Sequence, residues 1–172
     1  MKRLLVLILL ASTCFSTSVI ARSIEEMTQD STDVIIGQAG IPQSQWNAAH
    51  TMIYTITPVR IETALKGSRS GVVMVTQMGG TLDGIHTKIE GIRQFQPHER
   101  AALFLRPSVD MPGTFVLSSM VQGHFTVDAQ GNASNGVSGV HTLDTRTKQL
   151  SETSGSILSL ERLKARVKAV AK

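Results

Sequence analysis

The stretch TMIYTITPVRIETALKG, residues 51–67, restricts the fold more than any other part of the chain. Ile53, Thr55, Thr57, Val59, Ile61 and Leu65 fall on one side of a two-residue period, while Met52, Tyr54, Arg60 and Glu62 fall on the other. Successive side chains of an extended chain point to opposite faces, so this alternation predicts a half-buried antiparallel strand. Pro58 offers no N–H to a ladder, which predicts a bend, an edge or an outward-facing position there.

Other segments repeat the signal. DVIIGQAG (33–40) reads as a strand running into a glycine turn, VVMVTQM (72–78) as a third strand and GIHTKIEGI (84–92) as a fourth. AALFLRP (101–107) is apolar without interruption, the pattern of a central strand covered on both faces. TFVLSSMV and GHFTVDA add two more, and GVSGVHTL is either a weak last strand or loop. KGSRSG, Asp83-Gly84, DMPG (110–113) and AQGNASNG supply the turns, and IPQSQWNAAH, with Trp46, reads as a loop. The tail differs in kind. In SLERLKARVKAVAK (159–172), Leu160, Leu163, Val167 and Val170 form one helical stripe, with Ser159 placed to cap it and Glu161 in the first turn. A helix this short must dock on something. These elements predict a mainly β chain: a small antiparallel OB-like β-barrel, or a sandwich, with one C-terminal amphipathic helix packed on it.

The N-terminus carries an export address. Lys2 and Arg3 precede the apolar run Leu4–Leu10, and Val19-Ile20-Ala21 ends in the small-residue pattern of a signal-peptidase site. The expected organisation is a cleaved signal peptide at 1–21, a flexible leader at 22–32, the barrel at 33–145, a polar linker at 146–158 and the helix at 159–172. Ser12, Thr13, Ser16, Thr17 and Ser18 break the apolar run too early for a membrane span, so no transmembrane segment is expected after cleavage. Cys14 fits a lipidation box poorly, with Thr13 before it and Ala11 three residues before. Cleavage removes this only cysteine, so the processed chain has no disulfide and depends on burial for stability. The expected location is periplasmic or secreted.

Charge argues against nucleic acid. The chain has 17 Lys and Arg against 13 Asp and Glu; without Lys2 and Arg3 the bases fall to 15. Five of them, Arg162, Lys164, Arg166, Lys168 and Lys172, crowd the terminal helix, and the body carries no basic footprint. Aromatic residues are too few for a stacking groove.

Residues 75–92, VTQMGGTLDGIHTKIEGI, invite a phosphate-loop reading, but such a loop must open directly into a helix N-terminus. Here alternating residues follow, and no lysine stands at the Walker position, so the glycines are read as a turn. The histidines at 50, 86, 98, 124 and 141 show no metal-ligand spacing, and neither metal nor cofactor is expected. GSRSG (67–71) has Arg69 where a nucleophile elbow needs serine. No catalytic set is expected; the alternative is a site that the fold assembles from His86, His124 and Asp83.

DVIIGQAG, TPVRIETALKG, VVMVTQMGGTLDGI, QFQPHERAALFLRP and VQGHFTV together resemble a loosely defined set of secreted bacterial proteins, over residues 33–128. Their run is a strand like IVxGxV, a strand ending VLKG, a strand ending GG, a GERxxLFL strand and then QGxF. More remotely, the layout is similar to the OB-like barrel of netrin and tissue-inhibitor-of-metalloproteinase modules. The chain departs from the set where glycine is replaced before the glutamate, giving His98-Glu99, and the inhibitors' disulfide-held cysteine has no counterpart after cleavage. The resemblance implies an OB-like fold and says almost nothing about activity. The leading expectation is a non-enzymatic exported module that binds a protein partner. A hydrolase or other enzyme using dispersed His and Asp residues, and a regulator of an exported peptidase, are the alternatives.

Overall fold

The alternating stretch forms a single long strand, Ile53–Lys66, and the rest of the molecule is built around it. A computed structural model of the chain describes residues 18–89, 91–136, 141–144, 149–152 and 156–171. In chain order the first elements are β1 (Ser18–Ile20), α1 (Ile24–Asp30), β2 (Asp33–Ala39), β3 (Gln43–Trp46), β4 (Ile53–Lys66) and β5 (Val72–Met78). Then follow β6 (Gly80–Leu82), β7 (Ile85–Thr87), β8 (Arg100–Pro107), β9 (Phe115–Leu117) and a 3-10 turn, Met120–Gly123. The last are β10 (His124–Val127), β11 (Asn132–Ser134), β12 (His141–Asp144), β13 (Gln149–Glu152), β14 (Ile157–Ser159) and α2 (Leu160–Val170).

Strands β8, β2, β4, β5 and β9 pair in that order, and β9 returns to β8 through Leu117↔Leu105, closing a five-stranded barrel. Every pairing is antiparallel except β5 with β9. Counted by chain position, the strands run 1-2-3-5-4 around the barrel, the Greek-key order of an OB-like fold. On the edge of β8 that β9 leaves free, β10, β11 and β14 extend the sheet outward, and β3 adds to β4. Gly80 sits where β5 leaves the barrel: a Cβ there would meet the hydroxyls of Ser44 and Thr55 at 2.4 Å, with φ +140°. The double glycine is therefore a packing turn that leads to the β6–β7 hairpin.

Two cores divide the side chains of β2 and β8 between them. Ile35, Ala39, Leu103 and Leu105 point into the barrel with Val59, Val75 and Phe115. Val34, Ile36, Ala102 and Phe104 point outward, where α1, α2 and β10 cover them. This explains why AALFL has no polar alternation: the strand has no wet face.

The two helices pack together over that outer wall, joined by an ion pair between Arg166 and Glu25. Leu163 and Val167 of α2 are fully buried, and Ser159 caps its N-terminus by accepting from Arg162 N. The terminal stripe thus covers the side of the barrel wall.

The leader at 22–32, expected to be flexible, contains a helix, Ile24–Asp30. Ser23 and Glu26 form a reciprocal capping box, Ile24 and Met27 enter the outer core, and Lys66 Nζ donates to the carbonyls of Thr28 and Ser31 at its C-terminus. Seven residues hold two turns, too few for a helical period to show. Residues 41–50 contribute β3, and the strand expected at 84–92 is reduced to Ile85–Thr87. Of the linker at 146–158, Gln149–Glu152 and Ile157–Ser159 are strands, while 145–148 and 153–155 lie outside the described residues. Of the signal segment, 1–17 lie outside them too; Ser18–Ile20 pairs in parallel with β12. Among the described residues no helix is long and apolar enough to cross a membrane.

Candidate functional site

Three places concentrate chemistry. The first lies under the turn that enters β8, where His98 adopts φ +63° and its N–H donates to Ala39 O. That left-handed turn directs Glu99 inward, leaving its side chain 5% exposed. Glu99 Oε1 accepts from His124 Nε2 at 2.8 Å, from Thr126 Oγ1 at 3.0 Å and from the Arg93 guanidinium. Its Oε2 accepts from Arg93 and from Gln96 N at 3.0 Å. The His124 ring lies against Phe95, centroids 4.4 Å apart.

Burial works against the Glu99 charge, but the bonds from His124, Arg93 and Gln96 N outweigh it and hold the carboxyl well below the usual carboxylate range. Burial pushes the His124 imidazole down, and Arg93 adds to this, against the opposing bond to Glu99. The cluster is therefore a carboxylate paired with Arg93 and a neutral imidazole whose Nε2–H donates to it. In this tautomer Nδ1 is a buried acceptor without a partner. The carboxylate has used its acceptor capacity on protein donors, and neither it nor the imidazole opens to solvent. Chemically, this arrangement ties residues 93–99 to β10.

The second place is the β6–β7 hairpin. His86, exposed, meets Thr81 Oγ1 at 2.8 Å through Nδ1. Asp83 accepts from Trp46 Nε1 at 3.4 Å, and Trp46 stacks on His50. Among the described residues no hydrogen bond, ion pair or ring contact joins His86 or Asp83 to His124. The fold does not assemble the three into one catalytic set. No group of three or more His, Cys, Asp or Glu able to hold a metal occurs among the described residues.

The third place was not legible in the sequence. β5 and β9 pair only at Val75↔Phe115; beyond it β5 follows β4 through Met78↔Tyr54, while β9 follows β8 through Val116↔Arg106. The seam opens into a cavity of about 190 Å³, lined chiefly by Tyr54, Met78, Ile92, Leu117, Met120 and Val121. Burial first, and then the Asp110 carboxylate on the β8–β9 loop, push the Tyr54 phenol up. Gln77 lines the same cavity. Its Nε2 donates to Arg93 O at 2.9 Å, and its Oε1 is buried with no partner.

Sequence reasoning singled out His124 but missed Glu99, Arg93 and Thr126. The one available signal was the turn-forming stretch QPHER, in which His98 stands beside Glu99. The fold and its sites define an OB-like barrel with a buried charge cluster and an apolar seam. Beyond that class, no family model, no curated protein and no solved structure matches the chain.

Proposed function

We propose that the protein is an exported, non-enzymatic OB-like module that binds a protein partner through the outer face of β5 and the β8–β9 loop. The observation that carries this reading is a group of apolar side chains left in water around the seam: Met74 at 39% exposure, Val109 at 84% and Met120 at 42%. Clustered exposed apolar surface beside a cavity is the mark of a contact site. In OB folds generally the second and third strands and the loop between the fourth and fifth form the binding face, and here these are β4, β5 and the β8–β9 loop. That correspondence is an argument from fold analogy.

Export is supported by the charged start, the apolar run and the Val19-Ile20-Ala21 box, which direct the chain to the periplasm or medium. The enzyme alternative is weakened because His86 and Asp83 share a hairpin that makes no bond to His124, and His124 is closed off. The remote likeness to metalloproteinase-inhibitor modules makes an exported peptidase the partner to score first.

The test is capture from the producing cell's own exported proteins with the processed protein as bait, beside the double variant Met74→Glu, Met120→Glu. A specific partner held by the wild type and lost by the folded variant is the expected result. Equal capture by both overturns the assignment of this face.

A further inference from the structure

We infer that removal of the signal segment opens a site for the free C-terminus of a partner's extended chain, formed by the edge of β12, the side-chain amide of Gln122 and the new α-ammonium of Arg22. This goes beyond the reading of the β5 face and rests on the proposed export for one point, cleavage after Ala21. In the uncleaved chain the site is filled by the chain itself. Ser18–Ile20 lies parallel on β12 in the register Ser18↔His141 to Ile20↔Leu143, and among the described residues no other strand occupies that edge. Gln122, only 5% exposed, reads the backbone that follows: its Nε2 donates to Ile20 O at 2.9 Å, and its Oε1 accepts from Arg22 N–H at 2.9 Å. The two bonds fix the amide, because the reversed orientation would set oxygen against carbonyl and N–H against N–H.

Hydrolysis of the Ala21–Arg22 bond by a signal peptidase consumes one water and leaves a carboxylate on Ala21 and an ammonium on Arg22. Both residues are exposed, so the bond is accessible. The two sides of the cut then part. Arg22 stays, held by Gln122 and by its guanidinium, 3.4 Å from the Asp30 carboxylate, and the capping box of α1 begins at the next residue. Ser18–Ile20 leaves, since only three backbone pairs hold it and it remains joined to the apolar run Leu4–Leu10, which leaves water for lipid. Its departure frees the β12 edge and takes away the acceptor of Gln122 Nε2. It also reduces the sheet to the β12–β13 hairpin, and two strands alone are marginal in water. An incoming chain end restores what was lost: its last residues pair in parallel with β12, its penultimate carbonyl accepts from Gln122 Nε2, and its carboxylate meets the Arg22 ammonium. An internal strand in the same register would have to continue into Arg22 itself, so the site selects C-termini. The departed segment, Ser-Val-Ile-Ala, sets the chemistry of the occupant: β-branched residues and then a small one at the end.

The experiment titrates N-acetyl-Ser-Val-Ile-Ala, as the free acid and as the C-terminal amide, into the processed protein that begins at Arg22. Resonances of the backbone amides of His141, Thr142 and Leu143 and of the Gln122 side-chain amide report binding. The free acid is expected to bind about tenfold more tightly than the amide, the loss that a missing charge-assisted bond implies. Protein prepared with the Arg22 α-amine acetylated should lose that preference, and Gln122→Leu should weaken both peptides. Equal affinity for acid and amide, binding of neither, or a preference that survives acetylation overturns the inference. Should Gln122→Leu not fold, the acid–amide comparison and the acetylated protein still decide. The mass of the exported protein separates this inference from the export reading: a first residue other than Arg22 overturns both the cleavage and the site, whereas correct cleavage without peptide binding overturns the site alone. Co-purification of the 1–21 fragment with the exported protein would overturn a partner's C-terminus as the occupant.

Discussion

The Glu99 cluster and the β5–β9 cavity both hold polar atoms away from water, and they treat them in opposite ways. Around Glu99 the carboxylate accepts from His124, Thr126, Arg93 and Gln96 N, and its donors come from two parts of the chain, residues 93–96 and β10. Beside the cavity stands a buried glutamine whose amide nitrogen is used and whose oxygen is not. The cluster contains the residue types of an active site, including a carboxylate bonded to an imidazole, yet a carboxylate saturated by its own protein has no capacity left for a substrate. The cavity, walled mostly by apolar side chains with Tyr54, Arg106 and Asp110 among them, keeps open volume. Capacity left over, more than residue type, separates a binding site from a structural node here.

That contrast can be broken most directly at Glu99. Glu99→Ala leaves buried His124 and half-buried Arg93 without their acceptor, and should cost about 1–3 kcal/mol, the range for a buried polar group left unpartnered. Urea denaturation measures it; a loss below about 1 kcal/mol would return the cluster to the status of a surface salt bridge and reopen a functional role.

Acid sharpens the same point. The folded-state values of His124 and Glu99 are both depressed, so each contributes stability that is present above its unfolded value and lost as pH falls toward its folded one. Stability should decline first below about pH 6.5, as the unfolded chain takes up a proton that folded His124 refuses, and more steeply below about pH 4.3, where Glu99 joins. His124→Gln should flatten the upper part of the curve and spare the lower. A wild-type curve level from pH 7 to 5 would contradict the neutral, buried imidazole.

The turn that positions Glu99 gives a smaller effect with the opposite sign. His98 stands at φ +63°, a conformation that costs a residue with a side chain about 1–2 kcal/mol. His98→Gly removes that cost, offset partly by the added freedom of the unfolded chain, and should raise the thermal midpoint. No change or a decrease would mean that the imidazole has a stabilising contact of its own.

The smallest effect belongs to the cavity. Gln77→Met breaks the bond to Arg93 O but also removes a buried unmet acceptor, so the two changes oppose each other and the net loss should be within about 1 kcal/mol. A loss equal to that of Glu99→Ala would make Gln77 a structural residue and erase the distinction between the two places.

Much of the architecture was legible because its signals are local. The alternation of 51–67 gave β4, the unbroken run at 101–107 gave a strand with both faces covered, and the stripe from Leu160 to Val167 gave the terminal helix. Helix α1 was not legible, since a capping box with two apolar residues does not establish a period. Nor was the Glu99 cluster: Arg93 reaches Glu99 across the irregular stretch six positions before it, and His124 and Thr126, 25 and 27 positions away, reach it only through the β8–β10 register. Asp83 and His86, close in sequence, share a hairpin and meet different partners.

By itself the sequence determined that this chain is mainly β with a helical tail, and that its stability comes from burial, since periodicity and residue type are properties of neighbours along the chain. Only the tertiary structure decided that the sheet closes in a 1-2-3-5-4 order, that Glu99 is spent on its own protein, and that a seam stays open between β5 and β9. Those outcomes depend on which strand each edge meets and where two strands diverge, which distant segments settle jointly and no single segment encodes.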